Sequence, residues 1–264
     1  MLKKVLLVVS WTALLTGVVF LLSFSAAKQD EAPCTGFDII IDYQGSDHLI
    51  TPGMIRSTVN DHCGKPLKQT LSDINIENVA RHIRAIPCLA KADVFLTLEG
   101  RLVARVVQRK PVMRVINRLG QQYYADALGA LMPARSDYPA RVIIVNGNIT
   151  FPYSNQARLT NVKAQKADLL ESHQNLYRAF HIVQQVMADS FLTAQVSQLY
   201  INSDNEIELS PAFGHHVIIF GDTLQTAEKL EKLKAFYIQG IPRAGWDTYR
   251  IINLKYKDQI ICTK

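Results

Sequence analysis

Few residues in this chain have the types and spacing for covalent chemistry. His215-His216 is the one place where two imidazoles adjoin. Adjacent side chains on a strand point to opposite faces, so the two cannot share an ion unless they sit in a loop. Two surface histidines is the simpler reading. Asp61-His62-Cys63 sets a thiol beside a base and a carboxylate, but consecutive positions at a helix end do not give the aligned contact that activation needs. No glycine-rich phosphate loop, Gly-x-Ser-x-Gly elbow or His-Glu-x-x-His occurs. Cys34, Cys63, Cys88 and Cys262 match no zinc spacing. Cys63 and Cys88 each follow an expected helix, and both a disulfide between them and buried thiols fit. The expectation is a protein without catalytic, metal-binding or cofactor-binding residues.

What remains is chemistry of contact. Arg101, Arg105 and Arg109 recur at a spacing that shares one face of a strand, with Lys110 and Arg114 beyond. They read either as a docking stripe for a membrane surface or protein partner, or as a solvated sheet face. Tyr123 and Tyr124 would place one ring in the core and one outside. Trp246 precedes the last long strand and suits a packing anchor or the rim of a binding surface.

The element that positions all of these is Val5 to Phe24. Its twenty residues carry no charge, and thirteen are Val, Leu or Phe. As a helix it would span about 30 Å, the thickness of a bilayer core. Lys3 and Lys4 precede it, whereas Lys28 is answered by Asp30 and Glu31. The positive-inside bias therefore leaves residues 1–4 in the cytoplasm and puts the rest outside, in a single-pass inner-membrane protein. A cleaved signal peptide is the rival, with Ser25-Ala26-Ala27 as its site, but a signal core is shorter and broken. Over the whole chain, 48% apolar and 20% charged residues argue for packed cores rather than disorder. The net charge of +6 then suits acidic partners or anionic headgroups, not nucleic acid.

After a linker at 25–36, Phe37 to Tyr43 reads as a strand. Thr51-Pro52 opens a helix as N-cap and first-turn proline, burying Met54, Ile55 and Val59 and ending near Gly64. A second helix starts near Asn75, with Ile76, Val79, Ala80, Ile83 and Ile86 on one face and Pro87 after it. Ala92 to Arg109 is a hairpin whose loop, Glu99-Gly100-Arg101, sets Leu98 opposite Leu102. Two helices would thus cover one face of a three-stranded sheet. Arg109-Lys110-Pro111 marks a boundary. Strands are expected over Val112–Ile116, Gln122–Asp126, Arg141–Val145, Gln195–Ile201, Glu206–Leu209 and Val217–Phe220. A helix carries Leu176, Phe180, Val183 and Met187, and another runs from near Thr223 to Gly240. Thr248–Tyr256, with Ile252, Leu254 and Tyr256 on its apolar face, is expected at a sheet edge, followed by a brief Gln259–Cys262. Such an edge accepts an extended peptide, although Lys255 and Lys257 also serve to blunt it.

The segment IPCLAKADVFLTLEGRLVARVVQRKPVMRV, then QQYYADALGALMP, RVIIVNG and the closing DTYRIINLKYKDQ, follow one another in an order that resembles the bacterial cell-division proteins of the FtsQ (DivIB) family. The likeness covers nearly the whole chain. It implies an α+β architecture: a transmembrane helix at 5–24, a POTRA domain (β-α-α-β-β) at 37–110, and a mixed β-sheet domain with flanking helices at 111–264. It also implies a non-enzymatic divisome scaffold that binds the small bitopic proteins FtsB and FtsL by strand addition, linking early septal proteins to peptidoglycan synthesis. Other divisome proteins are implied partners of the POTRA domain. The contact residues carried over are Lys255, Tyr256, Lys257, Asp258 and Gln259. The short cytoplasmic tail and short carboxyl-terminal tail depart from the family pattern. An anchored envelope hydrolase and a POTRA-bearing transport or chaperone component stand as alternatives.

Overall fold

The structure, a computed structural model, describes residues 11–20, 32–134, 139–155, 157–159 and 171–264. Residues 11–20 form a helix, α1. The rest of Val5–Phe24 lies outside the described residues, as do residues 1–4 and 25–31 of the expected tail and linker. No described helix is long and apolar enough to cross a membrane. The chain divides into two compact units. The first takes in the chain up to Asp42 and Ile50–Gln108, the second Tyr43–Leu49 and Arg109–Lys264.

In the first unit the order is β1 (Gly36–Asp42), α2 (Pro52–Cys63), two short 3-10 turns, α3 (Ile76–Arg84), β2 (Leu89–Leu96) and β3 (Arg101–Gln108). Local chemistry sets both helix starts. The Thr51 hydroxyl accepts from Met54 N and Pro52 occupies the first turn, while Asn75 Oδ1 accepts from Asn78 N. Strand β3 is central, parallel to β1 and antiparallel to β2. Ile55 and Val59 of α2 and Val79 and Ile83 of α3 pack with Phe37, Leu102, Ala104 and Val106. Each of these larger side chains contributes roughly 1.5–3 kcal/mol by leaving water.

The hairpin turn has the expected three residues, but they are Leu98, Glu99 and Gly100. Thr97 N donates to Arg101 O, Gly100 N donates to Thr97 O, and Gly100 sits at φ 74°. Such a turn needs its left-handed residue in the third loop position, which only glycine fills without strain. The frame therefore moves by one residue: Leu96, not Leu98, faces Leu102, and Leu98 is 92% exposed.

The second unit is built on β4 (Pro111–Ile116), β5 (Gln122–Asp126), β6 (Leu131–Pro133), β7 (Ile143–Gly147), β8 (Val196–Ile201), β9 (Ile207–Pro211), β10 (Val217–Gly221), β11 (Ile251–Asn253) and β12 (Ile261–Thr263). They form one mixed nine-stranded sheet in the order β12-β11-β10-β9-β8-β7-β4-β5-β6. The parallel neighbours β7 and β8 are joined through α4 (Glu171–Met187) and α5 (Ser190–Gln195). The parallel neighbours β10 and β11 are joined through α6 (Thr226–Ala235) and α7 (Ile241–Ala244). Leu176, Phe180 and Val183 of α4, Leu192 of α5 and Leu230 and Leu233 of α6 pack with Val145, Leu199, Leu209, Ile218 and Ile252 of the sheet.

Four expectations are corrected here. The strand expected from Arg141 begins at Ile143. Tyr123 and Tyr124 are both fully buried, because Tyr123–Asp126 is buried on both faces of the sheet. The last long helix does not stop at Gly240, whose φ of −85° is helical. Pro242 cannot donate to the preceding turn, and the chain meets it with one wide turn in which Ile241 N donates to Phe236 O. The helix ends at Gly245, at φ 93°. Finally, Thr248–Tyr256 is strand only over Ile251–Asn253, and it is not an edge. Strand β11 lies between β10 and β12, so β12 ends the sheet.

A candidate partner-binding edge

Strand β12 pairs antiparallel with β11, setting Ile251 against Thr263, Ile252 against Cys262 and Asn253 against Ile261. Its other side has no strand among the described residues. Cys262 packs against the core while Ile261 is 41% exposed and Thr263 is exposed. The alternation that makes one face of a strand apolar is thus present, in only three residues.

Between β11 and β12 the chain bends, and the bend holds the residues carried over as contacts. Lys255, Tyr256, Lys257, Asp258 and Gln259 are all exposed. They do not continue the strand. Leu254 N donates to Ile219 O, but the next amide, Lys255 N, turns back to Asn253 Oδ1. The Lys232 ammonium of α6 donates to the main-chain carbonyls of Tyr256 and Lys257, at 2.5 and 2.9 Å. Those two carbonyls are therefore already engaged, and the Tyr256 ring, 47% exposed, is presented at the bend. Lys255 lays its stem against the α-carbon of Gly221 and its ammonium on Glu206, 2.5 Å away. The hydrogen bond to that carboxylate and its charge push the Lys255 pKa up.

Lys232 escaped the sequence reading, and β12, read only as the brief Gln259–Cys262, was not recognised there as the sheet edge. Ile260 to Thr263 is too short to show a period, and nothing in a helix pattern says where a lysine reaches 24 residues along the chain.

The arginines of the expected stripe are engaged by different partners. Arg101 makes a two-pronged pair with Asp38, at 2.7 and 2.6 Å, which holds the Asp38 carboxyl below its ordinary range. Arg105 lies over the Phe95 ring. Arg109 belongs to the second unit, where its largely buried side chain pairs with the buried Asp126 at 2.8 Å. Arg114 lies over the Tyr124 ring and donates to Gln122.

Of the two readings left open for Cys63 and Cys88, the structure has the thiols rather than the disulfide, and Cys34 and Cys262 are not disulfide-bonded either. Cys63 Sγ turns instead to His82 Nδ1 and Asn78 Nδ2, at 3.6 and 3.7 Å, and burial pushes its thiol up. Burial does the same to Cys262. His62 Nδ1 bonds the Thr58 carbonyl and Asp61 accepts from Ser57, so neither is aligned on the thiol. His215 is exposed and pairs with Asp247. His216 is buried rather than on the surface, with Nε2 2.7 Å from the Tyr237 hydroxyl. Tyr237 also stacks on Trp246, and burial raises its pKa to about 12. Among the described residues no group of three His, Cys, Asp or Glu could hold a metal ion.

The family model described as FtsQ/DivIB, C-terminal related matches residues 110–263. The chain belongs to the FtsQ/DivIB family. A POTRA-like domain model matches residues 32–107. The fold is thus a POTRA-like domain followed by a domain with a large mixed sheet. FtsQ/DivIB is a family of non-enzymatic division scaffolds, and membership points to a role in cell division with protein partners in the divisome. No curated protein matches the chain.

Proposed function

We propose that the protein is a divisome scaffold, anchored in the inner membrane by Val5–Phe24 with both folded units outside the cytoplasm. Its partner is the extracytoplasmic segment of an FtsB- or FtsL-like bitopic protein, which adds as an extended strand along β12. The observation that carries this reading is the position of β12, which pairs with β11 and has no second neighbouring strand among the described residues. An edge strand offers main-chain donors and acceptors to a newcomer, and exposed side chains such as Ile261 add specificity. Tyr256, held at the bend before that edge, supplies aromatic area at its rim. Three residues of edge give modest affinity, since each hydrogen bond nets about 1 kcal/mol. Confinement of both partners to one membrane raises their effective concentration enough to make it useful.

The test is pull-down of such a partner's extracytoplasmic domain by the full chain carrying Ile261→Asp or Tyr256→Ala. Each is expected to weaken the complex about tenfold or more with little change in Tm. Unchanged capture by both variants rejects the edge as the site. Lys255→Glu is a poorer probe, because it sets a second carboxylate against Glu206.

A further inference from the structure

The turn between β2 and β3 carries a leucine that the fold does not require. Leu98 occupies the first loop position, where a turn favours proline or polar residues, and its side chain is 92% exposed. A single exposed leucine is ordinary on any protein surface. What sets this one apart is its neighbourhood. Ala32, the first described residue after the apolar stretch, accepts from Leu71 N, and Cys34 N donates to Gln69 O. Thr35 N donates to Gly100 O, and the Thr35 hydroxyl donates to Glu99 O. The chain therefore arrives from Val5–Phe24 at the end of the first unit that carries the Leu98 turn. The 65–71 loop runs beside it, with Leu67 54% exposed and Lys65 and Lys68 exposed on either side.

We infer that this end of the POTRA-like unit, with Leu98 and Leu67 as its apolar points, docks on the surface of the lipid bilayer. The inference rests on the reading of Val5–Phe24 as a membrane anchor. Seven residues, 25–31, separate that stretch from Ala32. Fully extended they reach about 25 Å, so the tether keeps this end of the unit within about that distance of the anchor's end. Leucines suit the acyl boundary and lysines the anionic headgroups above it. Glu99 and Asp73 are also exposed here, and Asp73 accepts from the Thr70 hydroxyl. The local charge is therefore balanced, and the two leucines carry the contact more than electrostatic attraction does. The stretch facing the bilayer would hold the unit in one orientation instead of letting it swing on its linker.

The full chain reconstituted into phosphatidylglycerol–phosphatidylcholine vesicles tests this through tryptophan quenching. The chain has two tryptophans of its own, Trp11 and Trp246. Trp11 lies in the anchor and reports on it through lipids brominated deep in the acyl chain. Leu98→Trp adds an indole whose emission is read as the difference from the unsubstituted chain. Docking predicts a blue shift and at least twofold quenching of that difference by lipids brominated near the headgroup. Leu119→Trp, at an exposed leucine of the other unit, should show neither. Quenched Trp11 with an unquenched L98W difference overturns the docking alone, and is the outcome expected if a protein covers this end instead. Equal quenching of L119W overturns it too, since the indole itself would then be seeking lipid. Unquenched Trp11 overturns the anchor and the docking with it.

Discussion

The Lys232 ammonium bonds the main-chain carbonyls of both Tyr256 and Lys257, tying α6 to the bend that precedes the last strand. A half-buried lysine on two neutral carbonyls is worth little to global stability, about 1 kcal/mol. Its effect is local, because these two bonds anchor the bend that carries Tyr256 into β12. Lys232→Met is expected to speed amide exchange over Asp258–Ile261 roughly tenfold while moving Tm by less than about 3 °C. Partner affinity should fall about three- to tenfold. Unaltered exchange in this segment would show that the bend holds itself.

His216 gives the second unit an acid-side weakness. It is 2% exposed, Nε2 is taken by Tyr237, and Nδ1 has no hydrogen-bond partner among the described residues. Burial pushes its pKa below the ordinary value of about 6.5, as an imidazolium would have no acceptor for its second proton. The unfolded chain therefore takes up the proton first as pH falls. Stability is unaffected above about pH 6.5, declines below it, and levels off beneath the folded pKa. His216→Gln, which keeps a partner for Tyr237 but cannot titrate, should show a shallower fall in Tm between about pH 7.5 and 5. Parallel curves for the two proteins would remove His216 from the account.

The same residue shows where sequence legibility ends. Features set by neighbours in the chain were readable: the caps at Thr51 and Asn75, the apolar face of α3, and the alternation of Leu102, Ala104 and Val106. Features set by what lies across the fold were not. Histidine beside histidine gives no sign that one is sealed under Tyr237 and Trp246. Tyr123 and Tyr124 are both interior because β5 is flanked by β4 and β6 and covered on both faces, which a two-residue alternation cannot express. The candidate site suffered most from this. Lys255 and Tyr256 stand in a strand-like alternation, yet Asn253 and Lys232 bend the chain away and pass the edge to β12.

Gly147 closes β7 against β8 in a way no other residue can. Its φ is +100°, and an added Cβ would stand 2.1 Å from Ile201 O. That oxygen also accepts from Asn148 N, so it cannot retreat without breaking the ladder. Gly147→Ala should cost about 3 kcal/mol or more, lowering the Tm of the second unit by roughly 6–12 °C. Calorimetry of the full chain would show the loss in one transition if the two units unfold separately. A Tm within about 2 °C of the parent would mean that the β7–β8 junction relaxes freely.

Asp126 stands at the head of the second unit as the acceptor for three groups. Arg109 reaches one oxygen at 2.8 Å, and Leu128 N and Ala130 N share the other at 2.9 and 2.8 Å. Both charges are largely out of water, with side-chain exposures of 14% and 8%. Removing one member of such a pair takes this counter-charge from the other in a largely dry setting and costs about 3–5 kcal/mol, whereas removing both together costs less than the sum. Asp126→Ala should therefore destabilise more than Arg109→Met, because it also strips two loop amides of their acceptor. The double variant should recover about 1–3 kcal/mol of the summed losses in urea unfolding. Strict additivity would mean that solvent reaches the pair and that the loop amides, rather than Arg109, are what Asp126 is there to hold.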